Sequence, residues 1–247
     1  MTALLEVRDI EKSFGGVHAV RGVSFDVREG EILGVIGPNG SGKSTLFNCI
    51  LGQLPPSRGS VRVDGRDVTG LRPSRLNRLG VSRTFQLLQV FPELTARENL
   101  ILAAQEHRGS RLGRLFGARD AGLGTAADRM LDFFRLGDLA DETAGSLSYG
   151  QQKLLDAAMA FMAGSRLVLL DEPAGGVNLT MLEGLRDRLR AINAEQGSTF
   201  VVIEHNMEFV MALCNRILVL AEGRIIAEGD PAHVRSNATV IEAYLGQ

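Results

Sequence analysis

The sequence predicts an α/β core with an antiparallel β subdomain near its start and a helical insert in its middle. Three observations predict this. Short apolar runs of strand length, "EILGVIG", "RLVLLDEP", "TFVVIEH" and "RILVLAEG", recur between helical patterns, as buried parallel strands do. "LLEVRDIEKSF" and "AVRGVSFDVREG" instead alternate apolar and polar residues across Gly15-Gly16, as half-exposed antiparallel strands do. From Gln86 to about Ala163 the apolar period becomes helical.

The elements follow in order. "EILGVIG" runs directly into "PNGSGKST" and then into a helix, "LFNCILG". "GSVRVDG" is a further strand closed by an Asp-Gly turn, and "GVSRTF" is a core strand. In "ELTARENLILAAQEH", Thr95 stands where it caps a helix, with Glu98 three residues on. Residues 109–126, rich in Gly and Arg, read as a loop with a short helix in it. "AADRMLDFFRLG" is a helix ended by Gly137, and "YGQQKLLDAAMAFMAG" is a longer one ended by Gly164. "MLEGLRDRLRAINAEQG" and "NMEFVMALC" are helices between the later strands, and "RIIAEG" is the last strand. No internal repeat or low-complexity segment appears.

The composition sets limits. The 247 residues suffice for one large α/β domain, and 45% apolar residues supply its core. With 27 basic and 29 acidic groups there is no basic excess of the kind nucleic-acid binders carry. "MTALLEVRDI" is too short and too charged for a signal peptide. No apolar run approaches the ~20 residues a bilayer span needs, so a soluble protein is expected. The two cysteines, Cys49 and Cys214, lie in apolar or helical surroundings, which fits a reducing compartment.

Two motifs carry chemistry outright. "GPNGSGKS", Gly37 to Ser44, matches G-x-x-x-x-G-K-[ST] between a buried strand and a helix. Gly37, Gly40 and Gly42 let the backbone wrap a phosphate, and the amides from Gly40 to Thr45 face it with the helix dipole behind them. Lys43 reaches the β- and γ-phosphates, and Ser44 can ligate Mg²⁺. In "RLVLLDEP", Asp171 emerges at the C-terminal end of a buried strand, where it can hold the metal through water. Glu172 beside it is a natural general base for an attacking water.

Three single residues stay open on their own evidence. His205 ends "TFVVIEH", where it orients a water at the γ-phosphate or is an ordinary satisfied imidazole. Gln86, after "SRTF", is a metal ligand and water sensor or a plain surface amide. Phe14 ends the first strand, where it stacks on a base or packs in the core. "LSYGQQK", from Leu147, is a second nest of Ser and Gly whose bland reading is Ser148 as a helix cap.

Taken in this order, the motifs resemble an ATP-binding cassette ATPase, over essentially the whole chain. The resemblance implies a P-loop NTPase core of the ABC ATPase type, with ATP and Mg²⁺ as nucleotide and cofactor. By it, "GPNGSGKST" is the Walker A loop, contributing Gly37, Asn39, Gly40, Ser41, Gly42, Lys43, Ser44 and Thr45 to the nucleotide. Glu172, His205, Lys43 and Gln86 are the catalytic set, Ser44, Gln86 and Asp171 hold the metal, and Phe14 is the adenine-stacking aromatic. Two cassettes pack head to tail in this family, so Ser148, Gly150 and Gln151 act in trans on the nucleotide of the other subunit. The implied division is a core of 1–86 and 164–247 with its N-terminal β subdomain, and a helical subdomain, 87–163, holding the signature.

"VSRTFQLLQVFPELTARENL", "DEPAGGVN" and "VIEAYLG" further resemble the larger ATPase of branched-chain amino acid importers. Importers of urea, short amides and other small solutes share much of this pattern. Leu179-Thr180, where that group more often shows Asn-Pro, is a departure expected to loosen the start of the next helix. The resemblance implies a bacterial importer subunit on the cytoplasmic face of the membrane. Its partners are a second, similar cassette (a homodimer in isolation), two permeases and, indirectly, a periplasmic binding protein, with no nucleic acid. The rivals are an exporter or lipid-handling cassette, a soluble ABC ATPase acting on DNA or ribosomes, and a non-hydrolysing cassette. The expected docking surface for a permease is "LLQVFPEL", just after Gln86.

Overall fold

The computed structural model describes residues 3–83, 90–107, 120–162 and 164–245. Two sheets organise them. The first is antiparallel. Strand β1 (Ala3–Phe14) pairs with β2 (Val17–Arg28) across the Gly15-Gly16 turn, and β4 (Arg58–Val63) flanks β1 on its other side. The short β5 (Arg66–Asp67) closes the edge after a turn in which Asp64 and Gly65 take φ of 52° and 72°. Positive φ at both central residues is what an Asp-Gly hairpin turn requires.

The second sheet is mainly parallel. Its order is β10-β9-β3-β8-β7-β6, from β3 (Ile32–Ile36), β6 (Val81–Arg83), β7 (Leu167–Asp171), β8 (Thr199–Ile203), β9 (Arg216–Ala221) and β10 (Arg224–Gly229). Strands β9 to β6 run parallel, and β10 is an antiparallel edge. Strands β3, β7 and β8 are buried at every residue, which is why they read as unbroken apolar runs.

The strand pleat divides the core in two. Leu33, Val35, Leu169, Val201 and Leu218 face the antiparallel sheet and α1 (Lys43–Ile50). Ile32, Ile36, Val168, Phe200 and Val219 face the helices α5 (Tyr149–Met162), α6 (Leu179–Gln196) and α7 (Met207–Leu213). A relay of rings joins the helical region to the sheet. Phe134 stacks on Phe161 at 6.1 Å, and Phe161 meets Phe200 of β8 edge-on at 5.5 Å.

The region between β6 and β7 carries three helices in its described part, α3 (Ala96–His107), α4 (Asp120–Phe133) and α5. The Thr95–Glu98 capping box forms as expected. Glu98 N donates to Thr95 Oγ1 at 3.2 Å, and Thr95 N donates back to Glu98 Oε2 at 2.8 Å.

Three boundaries differ from the sequence reading. Helix α4 begins at Asp120, so Gly122 and Gly124 sit inside it rather than in a loop. It ends at Phe133, not at Gly137. Arg135 takes the left-handed turn (φ 55°) and Gly137 opens a 3₁₀ turn. Helix α6 is not loosened at its start: Asn178 caps it, its side chain accepting from Met181 N at 2.9 Å, so Leu179-Thr180 needs no proline to begin the helix. The short helices α2 (Pro73–Arg78), α8 (Pro231–Ser236) and α9 (Ala238–Leu245) were not read from the sequence.

Candidate functional site

The loops of the phosphate and metal site leave the C-terminal ends of parallel strands. β3 gives the glycine-rich loop, β7 gives Asp171 and Glu172, β8 gives Glu204 and His205, and β6 ends at Arg83. Parallel strands bring their C-terminal ends to one edge, so residues far apart in sequence converge there.

The glycine-rich loop is shaped by backbone contacts that exclude side chains. Gly37 has φ 153°, and a Cβ there would lie 2.1 Å from Leu220 O. Gly42 has φ 100°, and its Cβ would meet Ala19 O at 2.3 Å. Gly223 N, in the β9–β10 turn, also donates to Ser41 O at 3.0 Å. The loop is thus clamped between the two sheets. Gly42 is the N-cap of α1 and offers no side-chain cap. The first-turn amides of a helix have no intrahelical acceptor, so this end is built for an anion.

Lys43 is the first residue of α1 and is 8% exposed. Its Nζ donates to Gly37 O at 2.7 Å and Pro38 O at 2.9 Å, curling back over the loop it follows. Burial pushes its pKa below the ordinary lysine value, and the charge of Glu172 pulls it partly back. Asn39, Gly40 and Ser44 are exposed at the same loop, Thr45 is half-buried, and Ser41 is buried.

Asp171 is 2% exposed at the end of β7. Its carboxylate is paired with the Arg83 guanidinium, which also donates to Asn48 Oδ1 at 3.0 Å and Gln53 Oε1 at 2.7 Å. Sequence reasoning missed Arg83, because only the pairing of β6 with β7 brings it beside Asp171.

Glu172 follows with φ 49°. A non-glycine residue in this region is strained, and such strain gathers at functional sites. The neighbours over-determine it. Glu172 N donates to Ile203 O at 2.9 Å, while its carbonyl accepts from Gly175 N at 3.1 Å and from Lys153 Nζ at 3.3 Å. The buried Lys153 thus ties α5 to the backbone of Glu172. His205 is 62% exposed, with Nδ1 3.9 Å from Glu172 Oε1, so the two groups do meet.

Phe14 is 48% exposed, with Lys12 Nζ 5.3 Å from its ring centroid. A core role is therefore excluded, and an open aromatic face remains. Ser148 does cap α5, as the bland reading had it. Ser148 N donates to Gln151 Oε1 at 2.8 Å, and Gln151 N donates to Ser148 Oγ at 3.4 Å. Gly150 is buried under Met181, and Tyr149 packs against Gly176. Gln86, with Leu88 of the expected docking surface, lies outside the described residues, as do the boundaries at 86–87 and at 163. Phe91 of that surface is exposed. Cys49 and Cys214 are buried and free.

Comparison with known proteins agrees with this geometry. A family model described as "ABC transporter" matches residues 20–175, and one described as "Branched-chain amino acid ATP-binding cassette transporter" matches residues 224–247. The high-affinity branched-chain amino acid transport ATP-binding protein BraF of Pseudomonas aeruginosa is 38% identical over 252 residues, covering 99% of this chain and 98% of its own length. The corresponding protein LivG of Salmonella typhimurium is 36% identical, with 99% and 98% covered. An ATP-binding cassette of an ABC transporter, solved in its ADP conformation, superposes with TM-score 0.89 at 34% identity, over 100% of both chains. A dimeric cassette in a post-hydrolysis state with ADP and Pi superposes with TM-score 0.79 at 27% identity, over 92% of this chain and 98% of that one. The chain belongs to the ABC transporter family as an ATP-hydrolysing, ATP-binding subunit homologous to the branched-chain amino acid uptake ATPases.

Proposed function

We propose that this chain powers an importer of branched-chain or related amino acids. The transported substrate rests on the relatives' descriptions and on the matching C-terminal segment. The single observation that carries the chemistry is the strained Glu172, lying 3.9 Å from His205 at the sheet edge. In this reading Glu172 takes the proton of the attacking water and His205 orients that water at the γ-phosphate. Lys43 leaves its two loop carbonyls for the phosphates, and Gly37 to Thr45 enclose them. Phe14 stacks on the adenine.

Mg²⁺ is a hard cation that takes oxygen donors, and the Ser44 hydroxyl and Asp171 carboxylate suit it, with Gln86 as a third ligand. When bound, it neutralises charge on the β- and γ-phosphates. Arg83 keeps Asp171 oriented toward the loop.

Ser148, Gly150 and Gln151 complete the site of a partner cassette. Support for this comes from the relative that crystallised as a dimer with ADP and Pi. The division into 1–86 with 164–247, and a helical subdomain of 87–163, follows the placement of α3 to α5 between β6 and β7. Among the described residues no helix is long and apolar enough to cross a membrane. By its family the chain is placed peripherally, on the cytoplasmic face, beneath two permeases served by a binding protein. Co-purification of tagged protein from detergent-solubilised native membranes tests this. Permeases and a second cassette should come with it; recovery only from the soluble fraction would restore the reading of a soluble ABC ATPase.

A further inference from the structure

One charged group near the site is used by none of this chemistry. Glu204 is 0% exposed, and no other charged side chain among the described residues is so completely buried. A carboxylate is costly to bury unless hydrogen bonds satisfy it. Here they come from two loops. Oε1 accepts from Ala174 N at 2.6 Å, and Oε2 accepts from His205 N at 2.9 Å and Asn206 N at 3.1 Å.

The position of these bonds matters. Strands β7 and β8 are zipped in register up to Asp171 opposite Ile203, and the last rung is Glu172 N to Ile203 O. Beyond it the two chains part into separate loops. One carries Glu172 and the other carries His205. The Glu204 side chain spans the gap just past the final backbone rung, with an oxygen for each loop. Ala174 lies two residues after Glu172, and His205 follows Glu204 directly.

We infer that Glu204 is a positioning residue for ATP hydrolysis: its carboxylate acts as a side-chain rung that sets the separation of Glu172 and His205. It acts through those two residues, and on His205 through the ring as well as the backbone, since Oε2 lies 3.8 Å from Nδ1. The inference rests on the proposed roles of Glu172 and His205. Reacting groups displaced by about 1 Å can lose on the order of 100-fold in rate, so a small loosening here reads out as turnover.

Glu204→Gln keeps the shape but replaces one acceptor oxygen with an NH₂ group, which must oppose an N–H of one loop. Glu204→Asp keeps both acceptors but is a methylene too short to reach both loops. The experiment compares the full chain and both variants, alone and combined with His205→Ala, by phosphate release, nucleotide titration and circular dichroism. Wild-type turnover that Lys43→Met abolishes checks the underlying reading separately. Glu204→Gln should lower kcat at least about 10-fold and leave the ATP KM within about 2-fold, because the phosphate loop is untouched. Glu204→Asp should fall between it and wild type. In the His205→Ala background, Glu204→Gln should cost less than about 2-fold more, since residues acting as a unit are not additive. A full multiplicative loss in that background, a fall in nucleotide affinity matching the fall in kcat, or an unchanged kcat in either single variant would each overturn the inference.

Discussion

Replacing Lys43 with Met separates what this residue does for the fold from what it does for the nucleotide. Met nearly matches its volume and removes only the charge and the donors. In the folded chain the ammonium has three partners, Gly37 O at 2.7 Å, Pro38 O at 2.9 Å and, at 3.4 Å, Ser41 Oγ, and it is 8% exposed. Two effects oppose each other. Losing hydrogen bonds to a charged group costs about 1.5–3 kcal/mol each. Against that, burial already disfavours the charged form, as its lowered pKa shows, so removing the charge removes a desolvation penalty. The expected net change in stability is within about 1 kcal/mol, or about 2–4 °C in Tm for a chain of this size.

Nucleotide binding has no such compensation. One charge-assisted contact to phosphate lost is about 10- to 150-fold in affinity, and turnover falls further because the same charge is needed where negative charge develops. Thermal melts, nucleotide titration and phosphate release on wild type and Lys43→Met decide the matter. A Tm drop well beyond about 4 °C would mean that Lys43 chiefly holds its own loop. Near-normal turnover would refute the assignment. A pH arm adds a sign. With its folded pKa below the unfolded value, Lys43 binds fewer protons folded than unfolded in the window between them. Wild-type stability should therefore rise relative to Lys43→Met as pH climbs through that window toward the ordinary lysine value.

Three further outcomes are expected. Glu172→Gln keeps shape and removes the base, so hydrolysis should stop while MgATP still binds, and size-exclusion chromatography should show a larger species with MgATP than without. Wild-type turnover in that variant would place the base elsewhere. Gly150→Asp should abolish hydrolysis in the dimer and change monomer affinity for ATP little, because only the flexible Met181 thioether, 2.8 Å from the added Cβ, must move; a large loss of monomer affinity would mean the signature acts in cis. The Cys214 thiol is pushed up to about 12 by burial, and burial raises Cys49 as well. Both should resist thiol reagents at pH 8 until the chain unfolds. Since the folded thiols hold their protons longer than unfolded ones, their contribution to stability should be lost as pH rises above the ordinary thiol value; rapid native labelling would contradict the burial.

Local pattern sufficed wherever chemistry is written in adjacent residues. The unbroken apolar runs of β3, β7 and β8 reflect strands buried on both faces. The alternation of β1 and β2 reflects a sheet with one face partly exposed. The phosphate loop and the Asp171-Glu172 pair needed only their own spacing and a strand before each. The Thr95–Glu98 and Ser148–Gln151 caps are four-residue motifs, closed within a single turn.

What the sequence could not decide depends on residues brought together from afar. Nothing near Arg83 in the chain announces Asp171, 88 positions on; only the neighbouring of β6 and β7 pairs them. The end of α4 fell at Phe133 because Arg135 took the left-handed turn that a glycine two residues later seemed to offer. Glu204 reads as one more polar residue after a strand, and its burial and its grip on Ala174 exist only once β7 and β8 lie side by side. The same fold holds Glu172 in its strained backbone, through the last rung to Ile203, Lys153 on α5 and the turn to Gly175. Residue types and their local spacing named the chemistry; the parallel sheet, by gathering strand ends at one edge, decided which of those groups meet.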